Sequence, residues 1–107
     1  MSVEVNDQTF EQEVIKETKK PVLIEFWATW CYPCKTQGPI LDEMAKELGE
    51  KAKIVKLEVD ENPTTSGKFN VLSIPTLMIF KKGKLVWQGV GLHQKNVLMS
   101  ELSKHLA

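Results

Sequence analysis

Two cysteines, Cys31 and Cys34, are the residues of this chain whose type and spacing best suit covalent chemistry. Two residues separate them, so they can close a small disulfide. Cys31 falls between a predicted strand and a predicted helix. Unpaired amides and the helix dipole favour a thiolate at a helix N-terminus, and the thiolate is the form that attacks disulfides. We therefore predict that Cys31 is the nucleophile. Cys34, one turn further on and expected to be the less exposed cysteine, is predicted to be the resolving residue.

The predicted reaction consists of two thiol–disulfide exchanges. Cys31 attacks a substrate disulfide and forms a mixed disulfide with it. Cys34 then attacks Cys31, releases the reduced substrate and leaves the Cys31–Cys34 disulfide. The second exchange is intramolecular, so its high effective concentration keeps the mixed disulfide short-lived. We expect no bound metal or organic cofactor, because the two thiols carry the electrons themselves.

Two other interpretations of the cysteine pair have weaker support. A zinc site needs two more ligands, and the spacing of the histidines, His93 and His105, matches no zinc-finger pattern. A purely structural disulfide between Cys31 and Cys34 would close a loop so short that it stabilises little. Disulfides are also unusual in the cytosol.

Length, charge and the first residues limit the kind of protein this is. A chain of 107 residues predicts one domain, residues 1–107, with a single core. Its formal net charge of zero offers no general attraction to nucleic acid or to an anionic membrane. Residues 1–5 have neither a basic start nor an apolar run, and no stretch approaches the roughly 20 apolar residues that span a bilayer. We expect a cytoplasmic monomer that binds neither nucleic acid nor membrane.

The pattern of apolar residues predicts the element order β-α-β-α-β-α-β-β-α. The predicted strands are residues 3–5, 22–27, 54–60, 76–80 and 85–90. The predicted helices begin near Asn6 and Asp7, at Cys31, at Asn62 and near Val97, and the first two end at about 16–18 and at Leu48. Alternating units of this kind favour a parallel sheet with helices on both faces, to which the late hairpin adds antiparallel strands. Cys31 then lies at the carboxyl edge of the sheet, where functional groups gather in open α/β folds.

Three segments resemble the thioredoxin family. Residues 26–35, with the sequence FWATWCYPCK, are similar to the active-site segment of that family. Residues 73–76 are similar to its second signature, and residues 80–83 and 90–91 to its later turn and loop. The resemblance covers essentially the whole chain. It implies an α/β thioredoxin fold, with a five-stranded mixed sheet in the order 1-3-2-4-5 and four flanking helices. It also implies a protein-disulfide reductase whose partners are a thioredoxin reductase and disulfide-containing client proteins. The family default is a flavin-containing reductase supplied by NADPH, and a ferredoxin-linked reductase is the alternative.

The resemblance also implies where a client protein binds. It places Pro75 in a cis peptide beside the cysteines, although the residues alone allow an ordinary strand-initiating proline. The backbone of Ile74 would then pair with an extended client segment, in the manner of strand addition. Trp30, Ile74, Val90 and Gly91 would line a shallow apolar groove, and Gly91 would let a client backbone come close.

Glu25 is a carboxyl group in a strand that should be buried. Burial raises the pKa of a carboxyl group, so Glu25 could accept the proton of Cys34 during the second exchange. The thioredoxin family usually has aspartate at this place. Lys56 matches the family's lysine near that carboxylate and could pair with Glu25. The alternative is that Glu25 and Lys56 form only a partly buried ion pair.

Tyr32 is the clearest departure from the family, which usually has glycine there. The residues between the cysteines, Tyr32 and Pro33, influence the stability of the thiolate and thereby the reduction potential. A bulky ring placed where partners dock predicts that Tyr32 narrows the choice of partner, including the choice of reductase.

Two alternatives to a disulfide-reducing function of this protein remain open. One is an oxidant or isomerase with a higher potential, and the other is a binding module that uses the groove without turnover.

Overall fold

The computed structural model describes residues 2–106, and its elements follow the predicted order. The strands are β1 (Val3–Val5), β2 (Val22–Trp27), β3 (Lys53–Glu58), β4 (Thr76–Lys81) and β5 (Lys84–Val90). The helices are a π-helix (Glu11–Ile15), α1 (Tyr32–Leu48), α2 (Pro63–Lys68) and α3 (Lys95–Ser103), with a 3₁₀ turn at Gly49–Lys51. No helix within residues 2–106 is long and apolar enough to span a bilayer.

The five strands form one mixed sheet in the order β1-β3-β2-β4-β5, which confirms the predicted topology. β3 is parallel to both β1 and β2, whereas β4 is antiparallel to β2 and β5. β2 lies at the centre of the sheet, and successive side chains of a strand point to opposite faces. Leu23 accordingly packs with α1 and α3, and Ile24 packs on the other face with the π-helix. Burial on both faces explains why β2 is a nearly unbroken apolar run.

The first helix is shorter than predicted. It begins at Glu11 rather than near Asn6 and Asp7, and it ends at Ile15 rather than at 16–18. It closes with a bond from the Lys16 amide to the Glu11 carbonyl at 2.9 Å. Phe10 and Val14 are buried, but between Ile15 and Pro21 no side chain is fully buried. A short helix draws most of its stability from packing, so the helix ends where its apolar face ends.

The side-chain cap of α2 comes from a distant part of the chain. Asn62 occupies the N-cap position, but its side chain does not cap the helix. The Asn62 amide group instead accepts a hydrogen bond from the Asp7 backbone N–H and donates one to the Glu58 carbonyl, both at 2.9 Å. The carboxylate of Asp7 accepts hydrogen bonds from the backbone N–H and the hydroxyl of Thr65, at 2.9 and 2.7 Å. Asp7 therefore caps α2 across the sheet edge.

Candidate redox site

The two cysteines form a disulfide at the N-terminus of α1. Cys31 is the N-cap residue, with extended backbone, and its Sγ accepts a hydrogen bond from the Cys34 amide at 3.2 Å. Pro33 lies in the first turn, where its missing N–H removes no helical hydrogen bond. Local sequence therefore suffices to start the helix at this point and to bring the Cys34 amide against the Cys31 sulfur.

Both sulfurs are nearly buried in this oxidised form. Cys34 is 7% exposed and Cys31 is 3% exposed, so the expectation that Cys34 is the less exposed cysteine is wrong. Both cysteines belong to a small cluster with Ala28 and Ile74, and Cys34 also lines a cleft under the helix, which leaves it slightly more exposed. A reagent or client that reaches the disulfide must therefore fit closely against the loops around it.

Two aromatic side chains flank the disulfide on the surface. Trp30 is exposed, and its indole N–H donates to the Asp60 carboxylate at 2.8 Å, which fixes the orientation of the ring. Tyr32 follows Cys31 directly and is 80% exposed. Both rings stand where a docking partner would meet them.

The segments of the predicted groove lie next to the disulfide. The Ile74–Pro75 peptide bond is cis, and Ile74 packs against the cysteines. The Gly91 amide donates to the Pro75 carbonyl at 2.8 Å, which ties the loop after β5 to the Ile74–Pro75 segment. Gly91 has φ +91°, a conformation that favours glycine. Val90, at the end of β5, is exposed.

Sequence reasoning missed two exposed apolar side chains that are neighbours of these segments in the chain. Leu72 is 86% exposed, and Leu92 is also exposed. Leu72 precedes Ile74 by two residues, and Leu92 follows Gly91 directly. Large apolar residues directly beside the loop segments 73–76 and 90–91 were the available signal, because a loop seldom needs them for its own stability.

A cleft of about 450 Å³ lies between the start of α1 and the edge formed by β1, β3 and β2. Cys34, Glu25 and Lys56 all line it. Glu25 is 1% exposed, and burial raises its pKa to about 7. The ammonium of Lys56 opposes that rise, whereas the nearby carboxylates of Glu4 and Asp42 add to it. The site therefore holds a carboxyl group that changes protonation near neutral pH.

Lys56 pairs with a partner other than the predicted one. Glu25 and Lys56 are neighbours across β2 and β3, but within residues 2–106 Lys56 forms its ion pair with Asp42 of α1, at 3.3 Å. The Ser2 hydroxyl and the Lys56 ammonium hold the pKa of Asp42 below its usual value. Asp42 therefore carries a negative charge more readily than Glu25 does. Oε2 of Glu25 is buried, and within the same range it has no hydrogen-bond partner. Sequence reasoning missed Asp42 because helical spacing does not show which strand residue it will face.

A disulfide at a helix tip on the carboxyl edge of a sheet can accept two electrons from a dithiol and pass them to another disulfide. The fold and the site together define a thiol–disulfide oxidoreductase. Within residues 2–106 no group of three or more histidine, cysteine or acidic side chains is placed to hold a metal ion.

Comparison with known proteins identifies the family. A family model described as Thioredoxin matches residues 1–104. The thioredoxin of Rickettsia bellii (strain RML369-C) is 44% identical over 106 residues, which are 99% of this chain and 100% of that protein. Thioredoxin 1 of Synechococcus elongatus (strain ATCC 33912 / PCC 7942 / FACHB-805) is 47% identical over 102 residues, 95% of this chain and 94% of that protein. The thioredoxin of Bacillus subtilis (strain 168) is 46% identical over 104 residues, 97% of each chain.

The chain therefore belongs to the thioredoxin family. It is a dithiol–disulfide oxidoreductase whose redox group is the Cys31–Cys34 disulfide, and the family needs no bound cofactor. Membership also implies a thioredoxin reductase and disulfide-containing proteins as partners.

Proposed function

We propose that the protein reduces client disulfides with Cys31 as the attacking thiol and Cys34 as the resolving thiol. One observation carries this assignment: Cys31 is the N-cap of α1, and its sulfur accepts the Cys34 amide. That donor and the helix dipole favour a thiolate on Cys31 over one on Cys34. The thiolate of Cys31 bonds to one client sulfur and releases the other as a thiolate. Cys34 then loses its proton and attacks Cys31. The bond between Cys31 and the client breaks, the client's second sulfur leaves as a thiolate, and the Cys31–Cys34 disulfide forms, so two electrons have passed to the client.

The same proposal makes Glu25 the acceptor of the Cys34 proton. Glu25 and Cys34 line one cleft, and the buried Oε2 of Glu25 has no partner among residues 2–106. A pKa of about 7 leaves the carboxylate available near neutral pH. A purely structural Glu25–Lys56 ion pair has less support, because the ammonium lies against Asp42.

We also propose that clients bind the apolar surface formed by Trp30, Ile74, Pro75, Val90 and Gly91. The exposure of Trp30 and Val90 supports this, as does the packing of Ile74 against the cysteines. Apolar side chains grouped around a reactive group mark an interaction surface.

We propose further that the chain is a single domain, residues 1–107, that acts as a monomer. A monomer would leave this surface open to clients and to the reductase in turn. We place it in the cytoplasm, where reductases keep thiols reduced.

Placing a charge in this groove is expected to impair reduction of protein clients. Val90→Asp should lower kcat/KM for insulin reduction about tenfold relative to kcat/KM for a small soluble disulfide, because docking would bury a carboxylate. Val86→Asp is the matched control. Val86 is on the same strand and 41% exposed, against 59% for Val90. Val86→Asp should reduce insulin at the wild-type rate. If the two variants lowered insulin reduction equally, the proposed groove would be refuted.

Tyr32 is proposed to restrict the choice of reductase, because its exposed ring adjoins Cys31. Tyr32→Gly should change the ratio of kcat/KM values for an NADPH-linked flavin reductase and a ferredoxin-linked reductase by about threefold or more. A glutathione redox titration of the wild type shows whether the protein is a reductant or an oxidant. The same titration of Tyr32→Gly measures how the ring changes the Cys31–Cys34 reduction potential. The proposal is dropped if both the potential and the two reductase rates stay as in the wild type.

A further inference from the structure

Gln37 is a fully buried amide on the helix that carries the cysteines, one turn beyond Cys34. Its Nε2 donates to the His93 carbonyl at 3.0 Å, and its Oε1 accepts from the His93 backbone N–H at 2.8 Å. Burying an amide is costly unless it is hydrogen-bonded. Both bonds of this side chain go to one residue, in the loop that follows β5. One bond is donated and one is accepted, as between neighbouring strands of a sheet, and together they hold the loop against α1.

The ring of His93 continues this connection toward the disulfide. His93 Nδ1 lies 2.7 Å from the Gly91 carbonyl, and because a carbonyl only accepts, Nδ1 is the donor of this hydrogen bond. The Gly91 amide in turn donates to the Pro75 carbonyl at 2.8 Å. A continuous set of hydrogen bonds thus runs from Gln37 through His93 and Gly91 to Pro75.

The neighbouring residues are shaped to receive this ring. His93 packs edge-on against Trp87, with ring centroids 5.4 Å apart. A Cβ added at Gly89 would lie 2.6 Å from Nε2 of His93, so the ring occupies space that only glycine leaves free. The position of His93 is therefore set by packing on one side and by Gln37 on the other.

We propose that Gln37 is a positioning residue for client binding. It locks residues 90–93 onto the cysteine helix, so that Val90 and Gly91 flank the disulfide in one arrangement before the client arrives. A loop that is already ordered does not have to lose that freedom on binding, which improves affinity. This inference rests on the client-binding surface proposed above, and it adds a residue that touches no client.

The test uses Gln37→Met, which keeps the volume and removes both hydrogen bonds. KM for insulin should rise about fivefold while kcat changes less than twofold, and the effect on a small soluble disulfide should be clearly smaller. Amide hydrogen exchange of residues 91–93 should accelerate about tenfold or more, because their opening no longer breaks the two hydrogen bonds to Gln37. Thr36→Met, on an exposed position of the same helix, is the matched control and should leave both kinetic constants, the small-disulfide rate and the amide exchange unchanged.

Gln37→Glu is the second variant, because it keeps the shape of the side chain and the acceptor for the His93 N–H and removes the amide donor to the His93 carbonyl. It should raise KM for insulin in the same direction, and it keeps the inference testable if Gln37→Met fails to fold. An unchanged KM in these variants, together with a raised KM in Val90→Asp, would overturn the role of Gln37 and leave the groove intact. If Val90→Asp also had a normal KM, the groove itself would be wrong. An equal loss with insulin and with the small disulfide would reduce Gln37 to a general structural role.

Discussion

Cys31→Ser is expected to abolish reduction of client disulfides, with a loss of at least about a thousandfold in turnover. A serine hydroxyl at the N-cap still accepts the Cys34 amide, so the helix should start normally. It does not ionise near neutral pH, however, and it cannot form the mixed disulfide. Insulin reduction with dithiothreitol as the donor measures the loss.

Cys34→Ser separates the two roles. This variant keeps the attacking thiol and lacks the resolving one, so it should accumulate a mixed disulfide between Cys31 and the client. Mass spectrometry under non-reducing conditions detects that adduct. Trapping by Cys31→Ser instead of Cys34→Ser would mean that the roles are reversed, and residual turnover of Cys31→Ser near the wild-type rate would contradict the whole mechanism.

Glu25→Gln is expected to change stability in a strongly pH-dependent way. The pKa of Glu25 is about 7 in the folded protein, against 4.5 for an ordinary glutamate. Because the folded state disfavours the charged form, the wild type loses stability as pH rises from about 4.5 through about 7. At about 1.4 kcal/mol per pKa unit, the loss is about 3 kcal/mol above pH ~8. Glu25→Gln should therefore be about 3 kcal/mol more stable there and nearly equal to the wild type near pH ~4.

Urea unfolding of the oxidised protein at a series of pH values measures this difference. Asp42→Asn is a second test, because the charge of Asp42 raises the pKa of Glu25. Removing that charge should move the pH at which stability is lost to a lower value than in the wild type. Identical pH profiles for Glu25→Gln and the wild type would show that Glu25 titrates at an ordinary pKa. That outcome would remove the basis for its proposed role.

The same substitution tests proton transfer. In single-turnover experiments, Glu25→Gln should slow the attack of Cys34 on the mixed disulfide at least about tenfold near neutral pH. The deficit should shrink toward pH ~9, where hydroxide takes the proton directly. If the stability profile changes as expected but the rate stays normal from about pH 6 to 9, Glu25 is a buried acid without a role in the exchange.

The sequence by itself determined the redox pair, the element order and the central strand. Two cysteines at a predicted helix start specify thiol chemistry, since helix-terminal amides act on whatever residue occupies the cap. The apolar run of 22–27 indicates a strand covered on both faces, and β2 is that strand. These features are local, because they depend on periodicity, turn chemistry and backbone geometry within a few residues.

Tertiary structure alone decided which distant groups meet. Asp7 caps α2, Lys56 pairs with Asp42, and Gln37 holds the backbone of His93. Each of these side chains could have satisfied its hydrogen bonds or charge in several ways. The partner is the group that the packed fold brings within about 3 Å, and nothing in the local pattern encodes that approach. The chemistry of the site could therefore be predicted from sequence, whereas the contacts that tune it could not.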